Sequence, residues 1–297
     1  MKKTELRDEL AQLRKRLDRF EQYLDEQYEG PIVDDPPVGE YTTIIKDSND
    51  PGYTNRILVA TPSTGLVRME WAASRYGQVI PCNWSHVQMN QFMSGYVPMR
   101  YQVADAQNLI VRELVERDME WLLLVEHDTI PPPDAFIRIN RYIYEKQTPV
   151  VSGLYYTRSR PSEPILYRGR GTSFYTDWKF GDLVWCDGVP TGFLLISGAL
   201  LKTMWKESEP YVIRHSDHTT ETTRRVFDTP RVTWYDKNSG QYNTLGGTSD
   251  LAWCSRIMKD RFFEKSGWKE YQEMEYPFLV DTNIFCKHID PDGTIYP

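Results

Sequence analysis

The chain has 297 residues, of which 40% are hydrophobic and 26% charged, the mixture of an ordinary globular protein. Its net charge of −7 argues against broad, sequence-independent binding to nucleic acid or anionic membranes, because either needs a basic face. The four cysteines form no CxxC pair, so we expect reduced thiols in a cytoplasmic protein rather than a zinc ribbon or a disulfide scaffold. The apolar runs are too short to cross a bilayer, so we expect no integral membrane segment.

Residues 1–29 have the pattern of a separate amphipathic helix. Apolar residues recur at alternating spacings of 4 and 3, with charged residues on the other faces: Leu6, Leu10, Leu13, Leu17, Phe20 and Leu24. This heptad pattern predicts a short coiled coil that joins copies of the chain into a homo-oligomer. The alternative is an amphipathic helix that lies on its own domain. Residues 30–54 are rich in Pro and Gly and are expected to form a linker or docked arm, followed by one domain over 55–297.

From residue 55 the pattern alternates between strands and helices. Short apolar runs predict buried strands at Ile57–Ala60, Trp121–Val125 and Val150–Leu154. Helices are expected over residues 66–76, after an N-cap at Asp105, and around Phe136. This succession predicts an α/β fold with a mostly parallel central sheet flanked by helices. The irregular stretch 155–245 is expected to add insertions and an antiparallel flank.

The most informative segment is the end of the second strand. Glu126 and Asp128 follow Trp121–Val125 directly, with one residue between them. Ligands of open α/β sheets bind at the carboxyl ends of strands. Two carboxylates placed there repel each other unless a proton or a cation lies between them, and oxygen ligands suit a hard divalent metal. The alternative is a helix cap together with a solvated loop acid.

Seven segments together resemble the GT-A-fold glycosyltransferases, specifically the family 2-like group. They occur in the order found in that family and span residues 57–288: ILVATP at 57–62, AQN at 106–108, WLLLVEHDTIPPP at 121–133, GLYYTR at 153–158, VPTGFLLI at 189–196, TSDLAWCSR at 248–256, and His288. The resemblance implies a GT-A fold, a nucleotide-sugar donor and a divalent ion, Mn²⁺ or Mg²⁺. It also implies transfer of the sugar to an acceptor hydroxyl, with inversion at the anomeric carbon. A UDP-sugar is favoured over a GDP-sugar.

The resemblance assigns a metal site to three residues. Glu126-His127-Asp128 occupies the position of the family's DxD motif, with Glu in place of the first Asp. Asp128 would be the direct metal ligand, and Glu126 would face the ribose or the water shell of the metal. His288 matches a metal-binding histidine of the family, although it is equally an ordinary surface histidine. His127 is interpreted as structural.

Asp250 is the candidate catalytic base. It matches the Asp of the Glu-Asp pair that begins a helix in the family, while Ser249 replaces the Glu. A carboxylate suits this role because the acceptor hydroxyl must lose a proton as it attacks. The alternative is that Ser249 and Asp250 simply cap the helix.

The donor pocket is expected to form from three short segments. Thr61 and Pro62, at the end of the first strand, would meet the base and ribose through backbone groups and the hydroxyl. Asn108 matches the family's Arg-Asn pair, but Gln107 stands where Arg is usual. Thr191 and Gly192 would form the floor near the transferred sugar, where Gly permits close approach of a ligand. The alternative for this last pair is a tight turn between strands.

Two other functions stay open at this point. His215, Asp217 and His218 have a spacing that suits zinc, which would make a metal-dependent hydrolase. Gln107 and Ser249 depart from the family pattern, which leaves open a non-catalytic saccharide-binding protein on a transferase scaffold. The acceptor is not identified by the sequence; it is a glycan, a lipid carrier, a protein or a modified nucleobase.

The heptad pattern makes a direct prediction about assembly. Deletion of residues 1–29 should lower the number of chains per particle, measured by light scattering, because the apolar seam between chains is lost. Turnover of a nucleotide-sugar donor should persist, since no candidate site residue lies in this segment. An unchanged number of chains per particle would show that the helix packs within its own chain.

Overall fold

The computed structural model describes residues 56–80, 95–169, 175–215 and 218–297. The predicted coiled-coil helix at 1–29 and the arm at 30–54 lie outside the described residues, as does Asp217. The oligomerising helix and the domain boundaries therefore stay predictions.

The strands are β1 Ile57–Ala60, β2 Trp121–Val125, β3 Thr129–Ile130, β4 Val150–Leu154, β5 Leu183–Cys186, β6 Phe193–Ser197, β7 Pro210–Arg214, β8 Thr220–Arg224, β9 Arg231–Asp236, β10 Gln241–Gly246, β11 Phe278–Phe285, β12 Lys287–Ile289 and β13 Ile295–Tyr296. The helices are α1 Met69–Tyr76, α2 Val103–Glu116, α3 Ala135–Glu145, α4 Gly198–Glu207, α5 Ser249–Lys259, α6 Phe262–Lys265 and α7 Lys269–Gln272. The three buried strands predicted from apolar runs are confirmed with their bounds.

The central sheet has the strand order β1-β2-β6-β4-β11-β5. β1 pairs with β2, and β4 with β11, in parallel, whereas β6 runs antiparallel to both of its neighbours and β5 runs antiparallel to β11. The α/β class is confirmed, but the sheet is mixed, and the prediction of a mostly parallel sheet is wrong in this respect. A continuous apolar run reports burial on both faces and carries no information about strand direction.

Helices cover both faces of this sheet, which is why its strands are apolar throughout. Leu122 and Leu124 of β2 point to one face and pack in a cluster with Ile110 of α2. Leu123 of β2 points to the opposite face and packs in a cluster with Phe136 of α3. This alternation along one strand is the period of two expected for a β-strand. Both clusters are buried, so the sheet forms a rigid base for the residues at its edge.

Helix α2 begins earlier than predicted. Its N-cap is Gln102, without a side-chain capping bond, and Asp105 lies in the first turn. The carboxylate of Asp105 instead accepts a hydrogen bond of 2.7 Å from the hydroxyl of Tyr211. Tertiary contact therefore replaces the capping role that the sequence predicted for Asp105.

A small second sheet crosses the carboxyl end of β2. It has the order β13-β12-β3, and His288 of β12 lies opposite Thr129 of β3. Because β3 follows β2 after three residues, this pairing brings the C-terminal segment to the Glu126–Asp128 turn. No helix within the described ranges is long and apolar enough to cross a membrane.

Candidate functional site

Glu126 is fixed by the segment that precedes β6. Its backbone N–H donates to the carbonyl of Gly192 at 2.8 Å, and its Oε1 accepts from the hydroxyl of Thr191 at 2.9 Å. The Thr191 hydroxyl in turn accepts from Nε2 of Gln107 at 3.2 Å. The structure thus joins Glu126, Thr191 and Gly192, which were predicted separately, and adds Gln107, which holds Thr191 from α2.

The carboxyl group of Glu126 has a strongly altered acidity. Burial, the negative charge of Asp128 and the charge of Asp250 raise its pKa to about 8, against the opposing effects of the Thr191 hydroxyl and Arg158. The charges of Asp128 and Asp250 therefore both act on the carboxyl group of Glu126. A carboxyl group crowded by others takes up a proton or a cation when either is offered.

The two carboxylate oxygens of Asp128 differ, because one has a partner among the described residues and the other has none. Its Oδ2 forms an ion pair with Nη2 of Arg158, while its buried Oδ1 has no hydrogen-bond partner among the described residues. Its backbone carbonyl accepts from the N–H of Ile289 at 2.9 Å, which fixes the turn against β12. Buried carboxylate oxygens are normally paired, so the unpartnered Oδ1 marks a place where a ligand is expected.

His288 is held near Asp128 through one ring nitrogen and through packing of its ring. Its Nδ1 lies 2.6 Å from the carbonyl oxygen of Tyr156, and its ring packs edge-on against Tyr155 with centroids 4.7 Å apart. A carbonyl only accepts hydrogen bonds, so Nδ1 carries the hydrogen and Nε2 carries a lone pair. Burial lowers the pKa of His288, and the charge of Asp128 offsets this effect only in part. Because the pKa lies below its ordinary value, the ring is neutral at physiological pH. A neutral ring held by its other nitrogen is the arrangement of metal-binding histidines.

The space above Gly192 is filled by protein. A Cβ added at this position would lie 2.6 Å from both the Tyr155 hydroxyl and the Thr129 hydroxyl. The Gly192 N–H also donates to the Tyr155 hydroxyl at 2.6 Å. Glycine is therefore needed here for the approach of Tyr155, whereas the sequence interpretation assigned the space to a ligand.

Asp250 lies in the first turn of α5, and its charge acts on the carboxyl group of Glu126. The N-cap of this helix is Thr248, without a side-chain capping bond, so Ser249 is the first helical residue and not the cap. Asp250 accepts from the N–H of Leu251 at 2.8 Å, and its charge contributes to the raised pKa values of Glu126 and Tyr155. The structure thus brings a third carboxylate to the site from a distant segment of the chain.

A cavity of about 270 Å³ opens beside Glu126 and Asp128. It is lined by Pro62, Ser63, Thr64, Tyr101, Val103, Ala106, Glu126, His127 and Asp128. His127 forms part of its wall, with Nδ1 3.2 Å from the carbonyl of Pro62 and Nε2 3.3 Å from the hydroxyl of Thr64. These contacts hold the ring of His127 in the cavity wall, on the same side as Glu126 and Asp128 and not on the opposite side. Thr61 is buried behind the wall, where its N–H donates to the carbonyl of Tyr96 at 2.9 Å.

Asn108 is occupied within the protein. Its Nδ2 donates to the Tyr211 hydroxyl at 3.0 Å and to the carbonyl of Phe227 at 2.9 Å. Its Oδ1 accepts from the N–H groups of Val226 and Phe227 at 3.0 and 2.8 Å. All four positions are used, so Asn108 anchors the segment after β8, and the predicted contact with the nucleotide has no support from its geometry.

The alternative histidine site has a different set of contacts. His215 lies 3.4 Å from Oε1 of Glu221, and Tyr101 donates to the same oxygen at 2.5 Å. Arg112 binds the other oxygen of Glu221 at 2.7 Å. These bonds tie the β7–β8 hairpin to Tyr101 at the cavity. Within the part of the chain that the structure describes, no three His, Cys, Asp or Glu side chains are grouped so that they hold a metal ion. This applies to His215 and its neighbours and equally to the predicted ligands Glu126, Asp128 and His288, so the metal site stays a prediction.

Sequence reasoning missed Arg158 as a site residue and gave Tyr155 no contact with the residues around Glu126. Both follow β4, which runs in the same direction as β2 because each is antiparallel to β6. Their side chains therefore lie at the same edge of the sheet as Glu126. The rule that ligands bind at carboxyl ends of strands points to them once the strand order is known.

No family model matches the chain, and no curated protein matches it. Among solved structures, the crystal structure of A197 from STIV is similar with a TM-score of 0.44 and 15% identity, over 81% of this chain and 93% of that chain. The structure of CMP:2-keto-3-deoxy-manno-octonic acid synthetase complexed with CTP is similar with a TM-score of 0.25 and 7% identity, over 76% of this chain and 88% of that chain. Likenesses at these values support neither a fold family nor a function.

The raised pKa of Glu126 predicts a pH dependence of stability. Between the ordinary value of 4.5 and about 8, the native protein holds a proton that the unfolded chain releases. The free energy of unfolding in EDTA should therefore fall as the pH rises through this range. Glu126→Gln should make the fall smaller, whereas Glu116→Gln on the exposed part of α2 should leave it unchanged. Urea unfolding at several pH values measures the effect, and equal slopes in wild type and Glu126→Gln would contradict it.

Proposed function

We propose that the protein is a metal-dependent glycosyltransferase of the GT-A type. It would move a sugar from a nucleotide-sugar donor to an acceptor hydroxyl, with inversion. The observation that carries the proposal is that Glu126 and Asp128 line a cavity at the carboxyl end of β2, while Asp250 and His288 come from distant segments and interact electrostatically with this pair. A structural role alone does not account for three carboxyl groups placed where they repel each other.

The donor set around Asp128 suits a divalent cation. The buried Oδ1 of Asp128 lacks a partner, the carboxyl group of Glu126 is crowded by negative charge, and His288 offers a lone pair at Nε2. Mg²⁺ is usually held by one or two carboxylates, with phosphate oxygens and water completing its shell, and Mn²⁺ takes similar ligands. A bound cation would neutralise the charge that develops on the leaving diphosphate.

The remaining roles belong to the chain's own side chains. The cavity wall at Pro62, Ser63 and Tyr101 would hold the nucleoside, and Thr191 would keep the Glu126 carboxylate in place. Asp250 would accept the proton of the acceptor hydroxyl. The oxygen of that hydroxyl would bond to the anomeric carbon while the bond from this carbon to the diphosphate oxygen breaks. Attack from the face opposite the leaving group makes the reaction inverting.

Asp128 provides the main test of this proposal. Asp128→Asn keeps the volume but removes the charge, so nucleotide release from donors in a UDP-sugar and GDP-sugar panel with Mn²⁺ should fall to background. The matched control is Asp118→Asn before β2, where the exposed residue has a φ of 51° that Asn also adopts. Wild-type turnover in Asp128→Asn would remove the proposed metal site.

Asp250 tests the chemistry of transfer. Asp250→Asn should lower transfer to an acceptor by about 10²–10⁴-fold, the usual contribution of a general base, while donor binding stays nearly unchanged. Asp260→Asn, at the other end of the same helix, should retain activity. NMR of the anomeric proton gives the stereochemistry of the product, and retention of configuration would exclude a single displacement.

A further inference from the structure

Arg158 occupies an unusual position at the candidate site. Its guanidinium is paired with Oδ2 of Asp128 through Nη2 and lies 3.3 Å from Oδ1 of Asp290 through Nη1. Asp290 is itself held by the Tyr296 hydroxyl at 2.9 Å. Arg158 therefore bridges the turn after β2 and the segment after β12, and it occupies Oδ2 of the proposed metal ligand Asp128 while Oδ1 stays without a partner among the described residues.

The wall of the cavity carries little positive charge, and Arg100 stands beside it, with its backbone N–H donating to the Ser63 carbonyl at 2.8 Å. None of the described residues that line the cavity is Lys or Arg. Gln107 donates to Thr191 at the place where an arginine was expected from the family resemblance. A diphosphate entering this cavity would face the carboxylates of Glu126 and Asp128, so it needs cations to bind. Among the described ion pairs, Arg158 is the basic side chain bound to one of those carboxylates. It is therefore our candidate for binding the diphosphate.

Arg158 also has the freedom to leave Asp128. Its side chain is 37% exposed, and it stands in a turn that is closed by backbone bonds independent of the guanidinium. Thr157 donates its N–H to the carbonyl of Glu163 at 2.8 Å, and Glu163 returns a bond from its N–H to the Thr157 hydroxyl at 3.0 Å. Rotation of the long side chain therefore leaves the backbone of the turn in place.

We propose that Arg158 is an internal counter-ion that competes with the divalent cation for Asp128, and that the displaced guanidinium then binds the diphosphate of the donor. The guanidinium on Oδ2 offsets the charge of the Asp128 carboxylate and so weakens its attraction for a divalent cation at the unpartnered Oδ1. A cation bound at Oδ1 weakens the ion pair with Arg158 for the same reason. The planar fork of arginine suits phosphate oxygens as well as it suits carboxylate oxygens. The inference rests on the proposed function, because it takes the metal and the diphosphate from it.

The first experiment measures Mn²⁺ binding in the absence of nucleotide, by EPR titration of free Mn²⁺. Arg158→Gln should bind Mn²⁺ more tightly than wild type, on the order of tenfold, because the competing charge is gone. Arg158→Lys keeps a charge and should lie closer to wild type. Arg160→Gln, an exposed residue of the same turn with the same change in net charge, should leave the affinity unchanged. A merely structural role of Arg158 would weaken binding or leave it unaltered.

The second experiment measures binding of UDP and GDP at saturating Mn²⁺ by calorimetry. Arg158→Gln should weaken the diphosphate that wild type binds by about tenfold, again with Arg160→Gln as control. Tighter Mn²⁺ together with weaker diphosphate binding is the expected pair of results. Equal Mn²⁺ affinity in wild type and Arg158→Gln, or unchanged diphosphate binding, would overturn the inference and leave the proposed function standing. Absence of Mn²⁺ binding in both proteins would overturn the metal site and the inference together.

Discussion

The mutual repulsion of carboxylates at the end of β2 is the constraint on which the site depends. Glu126 and Asp128 leave a buried strand only one residue apart, and Asp250 approaches from α5. The surroundings offset this cost in three ways: the Thr191 hydroxyl donates to Glu126, Arg158 pairs with Asp128, and Glu126 itself takes a proton readily because its pKa is raised to about 8. The site is thus built to accept positive charge, in whichever form it is supplied.

The antiparallel direction of β6 makes this compensation available. Val125 at the end of β2 pairs with Phe193 at the start of β6, so the residues just before β6 lie beside the residues just after β2. This is how Thr191 reaches Glu126. A parallel β6 would begin at the opposite edge of the sheet, and its preceding turn would lie far from the carboxylates. By contrast, β11 runs parallel to β4 and therefore in the same direction as β2. Its carboxyl end leads directly to β12, which carries His288.

Much of the sheet and the position of the acidic turn were predictable from the sequence, because burial and chain reversal leave local patterns. The strands β1, β2 and β4 follow from apolar runs, and the carboxylates of Glu126 and Asp128 follow directly from the end of one of them. The direction of β6 leaves no such pattern, since a strand buried on both faces is apolar in either direction. The roles of Asn108 and Arg158 depend on partners at least 30 residues away, so local spacing carries no sign of them.

The neutral side chain of Gln107 helps to determine where positive charge lies at the site. An arginine in this buried position of α2 would bring a fixed charge next to Thr191 and Glu126 and would lower the pKa of that carboxyl group. The amide of Gln107 instead orients the Thr191 hydroxyl without adding charge, which leaves Glu126 crowded by Asp128 and Asp250. The positive charge then has to come from the other side of the carboxylates, where Arg158 stands on an exposed turn. The charge of Arg158 on this turn can be replaced by another cation, whereas the charge of a buried arginine at position 107 would stay in place.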